Sequence, residues 1–302
     1  MKTRRRYFFN KKNSAITLTF NITSVTSSTQ ILGFNVTEEA LDLSQINYLI
    51  IDGKTIISPT YNYTFSTTGK HTVKIIFKEN VTNMYSFVRK CNELIKVDMR
   101  EFNGSNVTNY RAAFMDCKSL EKILFGNLNT DKVTTFAYCF QNASKLTSLD
   151  LSKFNTSQVT DLDHTFYNCA RLTYLNVSTW DVRKVVKFSS VFHTCEHLTS
   201  LDVSNWVTSS ATNFWAIFNG CANLTKLDVS KFDTSKANYI NYMFRDCPKL
   251  TEIKMLGPTS TKTETSYMFE NVGNNGVFRY NSAYNYTHII NQLPSNWTAV
   301  AN

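Results

Sequence analysis

One spacing governs this chain: from about Val81 to Phe269 a small apolar position returns every 26 residues. Cys91, Cys117, Cys169, Cys195, Cys221 and Cys247 occupy it, and Ala143 stands where the series lacks a cysteine. Other columns keep the same phase. Three residues after the cysteine column come Leu94, Leu120, Leu146, Leu172, Leu198, Leu224 and Leu250, and six after it Val97, Ile123, Leu149, Leu175, Leu201, Leu227 and Ile253. Eight after it lie Met99, Phe125, Leu151, Val177, Val203, Val229 and Met255; three before it stand Val88, Phe114, Phe140, Phe166, Phe192, Phe218 and Phe244. A fixed period of roughly 20 to 50 residues means a stacked array, because one such unit cannot bury its own apolar face and needs a neighbour on each side. The chain is therefore read as a solenoid of about seven 26-residue rungs.

Within a rung, the Leu-x-x-Leu-Asp-Val-Ser run of Leu198–Ser204 or Leu224–Ser230 ends by alternating apolar and polar residues, which predicts a short strand with one buried face. Stacked in register, such strands would form one parallel sheet, on the order of 30 Å long at about 4.8 Å per strand. The segment before each column residue, such as Tyr239-Ile240-Asn241-Tyr242-Met243-Phe244, places apolar residues at helical spacing and predicts a short helix or helical turn on the opposite wall. Phe102, Phe154, Trp180, Trp206 and Phe232, with Leu128 as the exception, are expected to point inward from a Ser/Thr-rich arc. Val107, Val133, Val159, Val185, Ala211 and Ala237 follow them.

The unit Leu-x-x-Leu-Asp-Val-Ser-x-Phe-Asp-Thr-Ser-x-Val-Thr-x-x-x-x-Met-Phe-x-x-Cys, present as Leu224 to Cys247 with Ala237 in place of the Val, resembles the bacterial surface-protein repeat of 26 residues, the BspA-like branch of the leucine-rich repeats. The resemblance implies a leucine-rich-repeat solenoid on a surface protein that adheres to or recognises other molecules, with no catalytic residues to carry over.

The period stops at both ends, which divides the chain into a basic arm (1–13), a β domain (14–80), the repeats (81–270) and a C-terminal cap (271–302). In residues 15–80, Ile16, Leu18, Phe20 and Ile22 alternate with polar residues, and Asp52-Gly53 between two apolar runs favours a type I′ hairpin. Tyr63 to Ile75 reads as a second hairpin, and its Tyr-x-Phe-x-x-x-Gly-x-x-x-Val run resembles the closing hairpin of immunoglobulin-like, PKD-type sandwiches. A small β-sandwich covering the first rung is the expectation. At the far end, Gly257-Pro258 breaks the array and Gly273 to Gly276 makes a turn. Val277 to Tyr280 and Trp297 to Val300 read as strands around a short helix, His288 to Leu293, stopped by Pro294. The Leu-Pro-x-x-Trp sequence there resembles the terminal cap of Bacteroidetes-type repeat proteins.

Charge narrows the partners. The formal charge of +9 includes Lys2, Arg4, Arg5, Arg6, Lys11 and Lys12; the rest has 26 basic against 23 acidic residues, a net charge of +3. That is too small a field to suggest nucleic-acid binding by the body. The arm reads as an unstructured basic tail, with capture of an acidic partner as the alternative. Tyr7-Phe8-Phe9 after the arginines is far shorter than the apolar core of a secretion signal, and no segment has the length of a membrane span.

Candidate chemistry is sparse. The cysteines are expected to be free, buried thiols, since Ala143 replaces one within its rung, and Cys139, outside the column, reads as core. His193 and His197 are spaced like a zinc pair, but Cys195 between them belongs to the core column. Asp98, Asp150, Asn176, Asp202 and Asp228 recur as the repeat's own consensus rather than as a catalytic carboxylate pair. Five histidines scattered through the chain give no nucleophile–base arrangement. No catalytic, metal or cofactor site is expected.

The expectation is a non-enzymatic recognition or structural protein displayed externally. The short N-terminal apolar run tilts this toward a bacteriophage virion component, contacting other virion proteins or a host-surface protein or glycan; a bacterial cell-surface adhesin is the alternative. The expected binding face is the outward side of the strands, where Tyr174, Asn176, Ser178, Ser200, Asp202, Lys226 and Asp228 share one regular surface. The loops and the N-terminal domain compete with it.

Overall fold

The computed structural model describes residues 14–33 and 41–302, so the basic arm lies outside the described residues. Alternation makes Ala15–Ile22 the strand β1, with Ile16, Leu18, Phe20 and Ile22 buried. β2 (Thr29–Gln30) is short. β3 (Ile46–Ile51) and β4 (Lys54–Ile56) are joined by Asp52-Gly53, whose φ values of 47° and 83° are the two positive angles a type I′ turn needs. β5 (Asn62–Tyr63) pairs with β2, whereas β6 (Gly69–Phe77) lies antiparallel between β1 and β3. The hairpin expected over residues 63–75 is therefore absent. A two-residue partner would leave most of the nine-residue β6 backbone unpaired, and its buried Val73, Ile75 and Phe77 draw it to the centre of the larger sheet.

That sheet continues into the repeats. Its order is β4-β3-β6-β1-β7-β8, where β7 (Leu94–Glu101) and β8 (Lys122–Leu124) belong to the first two rungs and β1 runs antiparallel to β7. The edge of the first rung is thus paired rather than exposed. On the other wall, the Gly33 N–H donates to the Phe87 carbonyl at 2.8 Å. A Cβ at Gly33 would lie 1.4 Å from the Ser86 carbonyl oxygen, so glycine alone permits this approach. Phe77 packs on Phe87 and Phe102 at 6.3 and 5.2 Å.

The rungs form a β-solenoid of about seven turns with almost no helix. Their further strands are β9 (Ser148–Asp150), β10 (Tyr174–Asn176), β11 (Lys226–Asp228) and β12 (Glu252–Met255). The single parallel sheet expected is instead interrupted: β7 pairs with β8, β9 with β10 and β11 with β12, while residues 200–202 form no strand. In every one of these rungs the strand segment ends at an Asx turn: Asp150, Asn176, Asp202 and Asp228 each accept the N–H two residues on, at 3.1, 3.3, 3.1 and 2.9 Å, which keeps the strands short.

The unbroken ladder is on the opposite wall. Parallel single-residue bridges link Asn83, Asn109, Thr135, Asp161, Lys187, Asn213, Tyr239 and Glu264 in succession. The helical turns expected beyond these points are corrected to a chain of tight turns. In the rung of Cys195, the N–H groups of His193 and Cys195 reach back three residues to Ser190 and Phe192. Those of Ser190, Phe192 and Thr194 instead cross to the Trp215, Ile217 and Asn219 carbonyls of the next rung. Left-handed residues make this alternation possible. Five positions before the column, φ lies between 52° and 60° in Ser86, Ala112, Tyr138, His164, Ser190, Ala216, Tyr242 and Tyr267. One position before it, Asp116, Asn142, Asn168, Thr194, Gly220 and Asp246 are also left-handed. A right-handed helix contains no such residues.

Inside, every column read from the period is buried except Phe125, which is half-buried. Leu198 and Cys221 are fully enclosed. Phe114, Phe140, Phe166, Phe192, Phe218, Phe244 and Phe269 form one stack, with successive ring centroids 5.5 to 5.9 Å apart. All seven cysteines are buried and unbonded to one another. Their column has a hydrogen-bonding reason beyond size. The Phe192 carbonyl, for instance, accepts the Cys195 N–H of its own turn at 3.1 Å and the Cys221 thiol of the next rung at 3.2 Å, which fills both lone pairs. Cys117, Cys169, Cys195 and Cys247 repeat the contact. Burial pushes these thiols up, Cys247 to about 12, so they stay protonated donors.

The last rung is one residue short, with Tyr267 and Asn271 repeating the left-handed pair and Val272 taking the cysteine's place. β13 (Val277–Tyr280), the helix α1 (Thr287–Ile290) and β14 (Thr298–Ala301) then close the array, with β12, β13 and β14 parallel neighbours. Trp297 covers Phe269 at 6.2 Å and donates its indole N–H to the Gly273 carbonyl at 2.6 Å. Among the described residues no helix is long and apolar enough to cross a membrane.

Candidate functional site: an aromatic row on the turn wall

The same left-handed geometry that replaces a helix aims side chains outward. Tyr138, His164, Tyr242 and Tyr267 stand five before the column; Tyr167, His193 and Arg245 stand two before it; Arg111 and Trp215 stand six before it. They touch from rung to rung. The Arg111 guanidinium lies 4.5 Å over Tyr138, which stacks on His164 at 4.9 Å. His164 meets Tyr167 at 5.4 Å, and Tyr167 meets His193 edge-on at 4.9 Å. His193, Trp215 and Tyr242 follow in edge-to-face contact at 6.4 and 6.0 Å, and Tyr242 stacks on Tyr267 at 5.4 Å. Trp215 is 36% exposed, and Tyr267 and Tyr239 beside the row are 56% and 50% exposed.

The row dips where its side chains shorten. In the rungs of Cys195 and Cys221 the five-before position holds Ser190 and Ala216 rather than a ring. In the same two rungs the amide ladder of the one-before position, Asn142 to Asp116 at 2.7 Å and Asn168 to Asn142 at 2.9 Å, gives way to Thr194 and Gly220. A recess lies across these two rungs and the next, lined by His193, Trp215, Asn219, Asn241, Tyr242, Arg245 and Asp246. The Asn241 Oδ1 is buried there without a hydrogen-bond partner. Arg245 is matched by Glu270 at 2.8 Å and Asp246 at 3.3 Å. Burial lowers the His164 and His193 pKa values, so both rings are neutral at physiological pH.

Beside the row sits an acidic pair. Burial, reinforced by the Asp161 charge, raises the Asp163 carboxyl to about 6, while its Oδ1 accepts the Ser189 N–H at 2.9 Å. A folded-state value above the unfolded 3.8 means that the native state holds its proton more tightly. Stability from this group is therefore full below about pH 4 and lost as pH rises to about 6. Asp163→Asn keeps an acceptor for Ser189 and should raise neutral-pH stability by about 1–2 kcal/mol after allowing for partial exposure. Urea unfolding at pH 4 and pH 7.5 checks this: the gain should appear only at the higher pH.

The strand face expected from the sequence is placed as follows. Tyr174 is 51% exposed, and Ser200 and Asp202 are exposed. Asn176, Asp202 and Asp228 spend an oxygen on their Asx turns, and the Ser178 and Ser204 hydroxyls donate to Asn176 and Asp202. Lys226 pairs with Glu252 at 2.7 Å and Asp228 with Lys254 at 3.4 Å. His197 is bound to the Ala170 carbonyl at 2.6 Å, while His193 belongs to the aromatic row. Among the described residues no group of three His, Cys, Asp or Glu side chains could hold a metal ion.

The row was not read from the sequence, because its members fall in positions assigned to a helix. The signal was present in the five-before series, where Tyr, His, Tyr and Tyr alternate with buried Ala and Ser, so the larger polar rings cannot all fit inward.

Fold and surface together define a capped β-solenoid repeat protein with an aromatic outer wall. The chain belongs to the family described as "Mycoplasma protein of unknown function, DUF285", which matches residues 82–175 and 160–281. A comparison with curated proteins found no match.

Proposed function

We propose that the protein is a non-enzymatic recognition protein displayed outside a cell or a virus particle, and that it engages its partner through the aromatic row. The observation that carries this reading is the row itself: rings from successive rungs, Tyr138 to Tyr267, held in mutual contact and partly exposed on a backbone laced by inter-rung hydrogen bonds. Exposed aromatic residues contribute large contact area at low conformational-entropy cost, as at many recognition surfaces. The reading includes the leucine-rich-repeat affiliation of the rungs and an immunoglobulin/PKD-like origin for residues 14–80, acting as the cap of the first rung. The two settings for such a protein are a bacteriophage virion and a bacterial cell surface. A second binding face, the strand wall, is supported by the exposure of Tyr174.

The test uses sensor surfaces coated with mucin and with bacterial cell-wall sacculi. The native chain should be retained on at least one. Tyr138→Ala/Tyr242→Ala/Tyr267→Ala should lose about tenfold or more in affinity while keeping a single cooperative unfolding transition, its midpoint lowered by the lost ring contacts. Retention on neither surface, or equal binding by the triple variant, contradicts the proposal.

A further inference from the structure

The recess in the row has a chemistry of its own, and the ligand it fits presupposes that the row is a recognition surface. Trp215 is the tryptophan whose indole stands out from the core: Trp180, Trp206 and Trp297 are buried, with their N–H groups bonded to the Leu151, Val177 and Gly273 carbonyls. Trp215 and Tyr242 bound the recess with ring surface, and Asn219 and Asn241 supply amides at its floor. The Asn241 Oδ1 is shielded from solvent and has no hydrogen-bond partner, so turning this amide toward the recess gains a bond from a ligand hydroxyl and gives up none.

The charges present cancel. Arg245 is neutralised by Asp246 and Glu270, and His193 is held neutral by burial. A nucleic acid or a charged peptide therefore finds no complementary field. An extended peptide adding as a strand finds no free backbone either. The N–H groups of Thr194, Ala216 and Gly220 already bond to the Asn219, Asn241 and Arg245 carbonyls of the neighbouring rungs. What remains complementary is a neutral molecule with apolar C–H faces for the rings and hydroxyl donors for the amides.

We propose that the recess formed by His193, Trp215, Asn219, Asn241, Tyr242 and Arg245 binds a neutral oligosaccharide, one sugar ring lying on Trp215 and a hydroxyl donating to the Asn241 Oδ1. The lining of the recess runs over the two rung steps from His193 through Asn219 to Arg245, about 10 Å at the usual strand spacing.

The full chain is titrated calorimetrically, and by tryptophan emission, with chitohexaose, cellohexaose, mannohexaose and a galactan oligosaccharide. At least one should bind at millimolar concentration or below, with a change in Trp215 emission. Trp215→Ala and Asn241→Ala should each weaken it by about tenfold or more. Both variants should keep a single cooperative thermal transition, with the midpoint of Trp215→Ala lowered by the loss of its ring contacts to His193 and Tyr242. No binding by any of the four, or binding unchanged in Trp215→Ala, overturns the proposal. Mucin with its glycans enzymatically removed separates the oligosaccharide from the broader recognition function. Retention on the stripped mucin means a protein partner, which keeps the recognition function and overturns the oligosaccharide.

Discussion

Phe192→Ala is expected to lower the unfolding free energy by about 3–5 kcal/mol. The ring is fully buried and stacks on Phe166 at 5.6 Å and Phe218 at 5.7 Å, with Trp206 at 5.8 Å on its flank. Truncation would open a cavity shared by three rungs, and neighbours fixed by their own inter-rung hydrogen bonds have little freedom to collapse into it. The loss should come from packing alone, because the Phe192 backbone groups keep their partners at Ile217, Cys195 and Cys221. Ser200→Ala, on the exposed strand face, is the control and should change stability by less than about 0.5 kcal/mol. Urea midpoints of the two variants against the native chain decide the matter, and equal midpoints would refute the inward and outward assignment.

The inward half of this structure was legible because a single period fixes it. Any residue in phase with Cys195 or Leu198 must sit between two copies of itself, and burial of the Leu, Phe and Cys columns follows. The turn wall was not legible for a physical reason. Ile240, Met243 and Phe244 have the same three-and-four spacing in a helix and in consecutive tight turns, so periodicity cannot separate the two. The deciding signal is backbone handedness. It shows faintly one before the column, where Asn, Asp and Gly prevail, and is hidden five before it, where Tyr, His, Ser and Ala adopt the same positive φ. The candidate site was missed along with it, since a helix would scatter Tyr138, His164 and Tyr242 around an axis instead of aligning them. The shortness of the strands was likewise hidden. Asp202 reads as an outward polar residue, and its use of an oxygen on the Ser204 N–H appears only in three dimensions.

The central claim is that the repeat region is an array of interchangeable 26-residue units bonded chiefly to their neighbours. Deleting residues 144–169 removes one whole period and rejoins Ala143 to Ala170 in phase, so Ala143 stacks directly under Cys195. Deleting residues 144–156 removes half a period and throws every later column onto the wrong wall. Cooperative urea unfolding, followed by circular dichroism, compares both variants with the native chain. The array predicts that the 26-residue deletion keeps a single cooperative transition and the native spectrum per residue, and that the 13-residue deletion loses both. Unfolding of the in-phase variant, or native-like folding of the out-of-phase one, would contradict it.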